Sequence, residues 1–136
     1  MTIHPMLVHF PIALWVSAFL FEAGHLILKK DSLHRTAIQI FWMAVCLTPL
    51  VVWTGLLEEQ KYHLNHPVLT QHKTYAFCLL WGSLASAPIL LWLSRKSVKI
   101  FKIVFLACTL VATIGVILTG YYGGKLVFEY AIGVEQ

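Results

Sequence analysis

Apolar residues run in four long stretches, roughly 9–28, 36–57, 74–93 and 100–122, with the charged residues gathered mainly in the short intervals between them. Each stretch matches the ~20 residues a helix needs to cross a ~30 Å hydrocarbon layer. Inside such a layer no water is available to bond the backbone, so helices that close their own hydrogen bonds are the expected form. The pattern predicts an all-α fold, a polytopic membrane four-helix bundle forming one domain over residues 1–136. The first stretch does not read as a cleaved leader, because Met1–Met6 holds no Lys or Arg and no small-residue cleavage site follows. After the fourth stretch, Gly123-Gly124 is expected to break the helix. The residues beyond are too few to span and too apolar to float. They are expected to form an interfacial segment anchored by Tyr and Phe, lying over the nearby histidines. Pro49 and Pro88 are expected to kink their spans, and Pro11 either begins the first regular helix or kinks it.

Composition agrees with this picture and narrows it. Of 136 residues, 59% are hydrophobic and 12% charged, against about 45–50% and about 25% in soluble domains. With a mean hydropathy of +0.77, a water-soluble globule and a disordered tail are both excluded. The formal charge of +4 raises nucleic acid as a partner, but the basic residues form no patch with interleaved aromatics, so no nucleic acid is expected. They mark topology instead. Lys29, Lys30, Arg35, Arg95, Lys96, Lys99 and Lys102 fall on one side, and Lys61, Lys73 and Lys125 on the other. By the positive-inside rule the first side is cytoplasmic, which leaves both termini extracytoplasmic. Cys46, Cys78 and Cys108 sit singly in apolar runs without CxxC or CxxCH, so neither a thiol redox pair nor covalent haem attachment is indicated.

Histidine is the unexplained excess, with seven His against six acids. His4, His9, His63, His66 and His72 fall on the extracytoplasmic side, and only His25 and His34 lie toward the other. An internal repeat orders them. His4-Pro5-Met6-Leu7 and His66-Pro67-Val68-Leu69 each open a span, His9 and His72 follow them, and Trp53-Thr54-Gly55 and Leu118-Thr119-Gly120 end spans two and four, at offsets of 62, 63, 66 and 65 residues. A duplicated helical hairpin with a pseudo-twofold axis along the membrane normal accounts for this order. It makes His9 and His72 equivalent and sets them as axial ligands of a haem b on that axis. Ala13 and Ser17 below His9, and Ala76 below His72, leave room for a flat ring, although small residues also serve plain helix packing. His4 and His66, each before a Pro at a helix entrance, are alternates or supporting groups.

Other metal chemistry has less behind it. His63, His66, His4 and His72 with Glu58 and Glu59 form no compact zinc spacing. Glu22-x-x-His25 resembles half of a di-iron motif, but no other carboxylate lies inside a span. A hydrogen-bonded Glu22–His25 pair near the cytoplasmic interface is the plainer expectation.

The stretch His4-Pro5-Met6-Leu7-Val8-His9-Phe10-Pro11-Ile12-Ala13-Leu14 resembles the opening motif of a bacterial membrane family known as domain of unknown function 2231. Thr54-Gly55 resembles its second-span ending. Gly123-Gly124-Lys125-Leu126-Val127-Phe128-Glu129-Tyr130-Ala131-Ile132-Gly133-Val134 is similar to its closing motif, usually nearer GGxLVYxxGVGV, from which Phe128 and Ala131 depart mildly. The resemblance covers essentially the whole chain. It implies a four-helix protein of the bacterial inner membrane whose relatives occur beside redox components. The resulting expectation is an electron carrier or accessory subunit rather than an enzyme, held in the lipid bilayer, with quinone and other redox-complex subunits as partners. A cofactor-free structural subunit using its five Trp to meet partners and lipid, a metal-binding membrane protein, and a homodimer are the alternatives.

Overall fold

A computed structural model of the chain describes residues 3–62 and 65–131. Five helices follow in order: α1 (His4–Leu7), α2 (His9–Leu28), α3 (Asp31–Tyr62), α4 (Pro67–Lys96) and α5 (Val98–Phe128). With α1 and α2 taken as one span, four segments are long and apolar enough to cross a membrane. The described residues contain no strand.

Pro11 accounts for the break at Val8. It brings no N–H, and its ring crowds the carbonyl of Leu7 four positions earlier. The short α1 turn therefore closes on itself, Val8 N–H donating to the His4 carbonyl at 3.0 Å, before the regular helix begins. Pro49 lies inside α3 and Pro88 inside α4. At the α2–α3 turn Lys29 takes a left-handed conformation, φ 53°, and its N–H caps the His25 carbonyl.

The C-terminal part departs from expectation. α5 continues through Gly123-Gly124 to Phe128 instead of breaking at the glycines. A helical Gly costs about 1 kcal/mol relative to Ala, whereas each backbone group left unpaired in an apolar layer costs several. The helix therefore carries on. Residues 132–134 of the expected interfacial segment lie outside the described residues.

Consecutive helices pack side by side, and α2 also meets α5 while α3 meets α4, so the four long helices form a closed square. Two short connections, Lys29-Lys30 and Ser97, gather the seven basic residues at one end.

The buried positions repeat at a single offset. Ala37, Phe41, Ala44, Val45 and Thr48 of α3 are buried, and so are Phe105, Thr109, Ala112, Thr113 and Val116 of α5, each 68 residues later. Trp15, Glu22 and His25 of α2 match Ser83, Leu90 and Leu93 of α4 at the same offset. Large side chains pair with small ones, Trp15 with Ser83 and Phe105 with Ala37, as is needed where two equivalent positions share one centre. The duplication is therefore present, but its packed register is 68 residues rather than the 62–66 of the motif order. Motif spacing counts loop residues, whereas packing counts helical turns.

The centre of the core is Trp15. It is fully buried, meets Phe41 edge-on at 5.4 Å, and donates its indole N–H to Thr48 Oγ1 at 3.1 Å. It does not join the outer Trp set. Trp53, Trp81 and Trp92 are exposed along with many Leu, Ile and Val side chains, the surface a membrane protein presents to lipid. Meanwhile Thr48, Ser83, Thr109 and Thr113 face inward. Lipid is as apolar as Leu, so helices in it associate through close packing and interhelical hydrogen bonds. Ala18, Ala37, Ala44 and Ala112 at the contacts provide the first, and the Trp15 indole N–H of α2, donating to Thr48 Oγ1 of α3, provides the second.

Candidate cofactor site

The buried face of α2 reads Pro11, Trp15, Ala18, Glu22, His25, alternating steps of four and three. Continued backward, that face passes through Val8 to His4. The same reading places His9 off the face, and His9 is exposed, as is Ala13, while Ser17 is partly buried. On α4, His72 and Ala76 are partly buried. The structure therefore brings His72 together with His4: their rings stand 6.3 Å apart, nearly perpendicular at 82°.

Each ring is held in the same way. His4 Nδ1 is 3.0 Å from the Val51 carbonyl, and His72 Nδ1 is 2.9 Å from the Thr119 carbonyl, in both cases 47 residues further along the chain. A carbonyl only accepts, so each Nδ1 carries the proton and each Nε2 keeps its lone pair. Thr54 Oγ1, which donates to the same Val51 carbonyl, lies 3.1 Å from His4 Nδ1. Each ring also lies over a glycine, where an added Cβ would stand 2.8 Å from His4 Cε1 at Gly55 and 3.2 Å from His72 Cε1 at Gly123. His4 and His72, Val51 and Thr119, and Gly55 and Gly123 are all 68 residues apart. The histidine, the carbonyl that orients it and the glycine that seats it have been duplicated as one unit.

These rings border a cavity of about 520 Å³ between the helix ends, within the ~300–1,000 Å³ usual for ligand pockets. Its walls are mainly apolar, from residues such as Ile12, Val52, Phe77 and Val116, with His9 also on the lining. Glu58 Oε1 accepts the backbone N–H of His4 at 2.9 Å and so fixes the start of α1, and Glu59 pairs with Lys73 at 2.7 Å beside the cavity.

His66 serves a different purpose. It is the N-cap of α4, where its Nδ1 accepts the Val68 N–H at 3.2 Å, and its ring lies 4.3 Å from that of Tyr130. His63 lies outside the described residues. Among the described residues no group of three His, Cys, Asp or Glu is arranged to hold a metal ion.

Glu22 and His25 do not bond each other as expected. Facing inward on one helix, they find separate partners. His34 Nδ1 donates to Glu22 Oε2 at 2.6 Å, and His25 Nδ1 donates to the Lys30 carbonyl at 3.0 Å.

The sequence marks Gly55 as a span ending and Gly123 as a helix break, but does not mark either as the seat of a histidine ring. The signal that could have found them is the four-three alternation leading from Trp15 back to His4, combined with the match of His4 and Gly55 to His72 and Gly123 at one offset. It carries a direct expectation. Gly55→Ala should force the His4 ring aside and lower stability by about 1–3 kcal/mol. Gly82→Ala meets no atom within 4 Å and should stabilise the helix by about 0.5–1 kcal/mol. Thermal unfolding of the two variants in the same detergent makes the comparison, and equal melting temperatures would contradict the seating role of Gly55.

A family profile described as a predicted membrane protein, DUF2231, matches residues 1–136. No curated protein and no solved structure matches the chain.

Proposed function

The chain belongs to the DUF2231 family of membrane proteins, and on that footing we propose that it is an electron-transfer protein, alone or as a subunit of a redox complex, holding a b-type haem between His4 and His72. The observation that carries this reading is the pair of inward-facing imidazoles, each with Nδ1 tied to a backbone carbonyl. Histidines that ligate metals characteristically donate their other ring N–H in this way, which fixes ring orientation and strengthens the free nitrogen as a ligand.

The residues fit the group. If each ring gave one nitrogen to a shared metal ion at about 2 Å, the ring centres would stand roughly 6 Å apart; those of His4 and His72 stand at 6.3 Å. Haem needs only two protein ligands, so the lack of a third donor among the described residues does not count against it. The mainly apolar cavity suits a macrocycle. Ala76 lines it, while Ala13 and Ser17 do not. Haem bound there would supply one-electron redox chemistry. The chain's own part would be to hold the two imidazoles at a fixed distance and angle and to line the cavity with apolar Ile12, Val52 and Val116. This reading makes His4 the partner of His72 and gives His9 a place on the lining. With the seven basic residues at the opposite end, the haem side is extracytoplasmic in a bacterial inner membrane. Quinol on the lipid side and an outer acceptor are the natural partners.

The test is direct. Protein expressed with ample haem supply and purified in mild detergent should give reduced and oxidised spectra with an intense Soret band and low-spin bis-histidine features. A preparation without a Soret band would defeat the proposal and leave a cofactor-free structural subunit as the better account.

A further inference from the structure

We infer that Glu22 and His34 form a second site, a proton-binding pair inside the bundle that is served from the basic end through His25, Lys102 and Asp31. It stands apart from the His4–His72 cavity and does not depend on any cofactor there.

Glu22 has no exposed surface, and it sits on the inward face of a membrane-spanning helix. An ionisable side chain in that setting is costly and marks proton or ion pathways. Among the described residues only one of its oxygens is engaged. Oε2 accepts the His34 Nδ1–H at 2.6 Å, whereas Oε1 is buried with no partner among them. A structural ion would be expected to have donors on both oxygens. A carboxyl with one oxygen in contact with an imidazole and the other bare is arranged to exchange a proton. The second half of the duplication sharpens the point, because the position equivalent to Glu22 is Leu90, which packs equally well in the core. Packing alone therefore does not require an acid here.

Polar groups lead outward from the pair to the surface. The side chain of Asp31 is 75% exposed and that of Lys102 34%, while His34 at 12% and His25 at 9% are nearly covered and Glu22 is closed off at 0%. Lys102 Nζ and His25 Nδ1 each lie 3.8 Å from Asp31 Oδ1, and Lys102 Nζ also lies 3.3 Å from His25 Nε2. The His25 ring is 5.1 Å from that of His34, tilted by 33°. Among the described residues the titratable groups nearest the pair are His25 from α2, Asp31 from α3 and Lys102 from α5, with Lys29 and Lys30 in the adjoining turn. Toward its C-terminal end the buried face of α4 is Leu90 and Leu93. Phe101 and Phe105 set their rings edge-on to His34 at 5.9 and 5.8 Å. They supply no oxygen for a metal ion, so the ligand with the right chemistry is a proton.

The transfer balances within the pair. A proton arriving at His34 forms an N–H bond at Nε2, the Nδ1–H bond breaks, and an O–H bond forms at Glu22 Oε2. The pair goes from one net negative charge to none, and the reverse sequence returns the proton. No electron moves.

Infrared difference spectroscopy of the full chain in micelles, between alkaline and acidic buffer, tests this. A protonated-carboxyl band should appear on acidification, shift in heavy water, and be missing in Glu22→Gln. If that variant fails to fold, Glu22→Leu, which copies Leu90, replaces it. Deuterium should enter the band on the order of 100-fold more slowly in His25→Phe, where the relay is cut outside the pair. Either a difference spectrum unchanged by loss of Glu22, or wild-type exchange in both His25→Phe and Lys102→Met, would overturn the proposal.

Discussion

His4→Ala and His72→Ala should each lower haem content by at least about tenfold, while His9→Ala keeps a normal spectrum. The physical reason lies in the ring partners. His4 and His72 each offer a nitrogen lone pair while a backbone carbonyl holds the other nitrogen, and loss of even a partner that orients a ligand typically costs 10–100-fold in affinity. Removing the ligand itself should cost no less. His9 is exposed, so its truncation removes little packing. Pyridine haemochrome quantification per mole of purified protein reads all three. Because the two halves are equivalent, the two critical variants should fail alike. If His9→Ala lost haem and His4→Ala retained it, the pairing proposed here would have to be exchanged for His9 with His72.

The second large effect is expected at the other end of the bundle. His34→Ala should destabilise the protein by about 3–5 kcal/mol near neutral pH, the range for leaving a buried charge without its partner. An ordinary interhelical hydrogen bond in a membrane is worth only about 0.6 kcal/mol on average and about 1.7 at most. The measured loss therefore tells which kind of interaction His34 makes with Glu22. Replacing both partners, as Glu22→Leu with His34→Leu, should recover most of the loss, because an apolar pair of similar volume leaves no group uncompensated. Tryptophan fluorescence, dominated in the core by fully buried Trp15, follows unfolding in mixed micelles. A loss below about 1 kcal/mol for His34→Ala would mean that the contact is incidental.

Much of the fold was legible in the amino-acid sequence, because it depends on quantities that add along the chain. Four runs of about 20 apolar residues can cross a bilayer only as helices, and the helices form where those runs lie, extended at their ends by polar residues such as Asp31 and Lys61. The clustering of seven basic residues is equally a property of order along the chain, and so is the presence of a repeat. His72 was identified as a candidate ligand because the repeat makes it the counterpart of His9.

Tertiary structure alone decided which residues meet. His9 and His4 are separated by only five positions, well under two helical turns, but Pro11 breaks the helix between them and the core chooses the face that carries Trp15. His4 therefore turns inward, while His9 stays exposed on the cavity lining. The glycines at 55 and 123 end no helix. Each is the space in which an imidazole rests, a relation between residues about 50 positions apart that no local pattern records. Glu22 likewise bonds His34 across a helix pair rather than His25 on its own helix. Hydrophobic period and charge order act locally and sum along the chain, so they fix the elements and their sequence. Register, seating and hydrogen-bond choice depend on which surfaces come together, and they were set only when the two hairpins packed into one square.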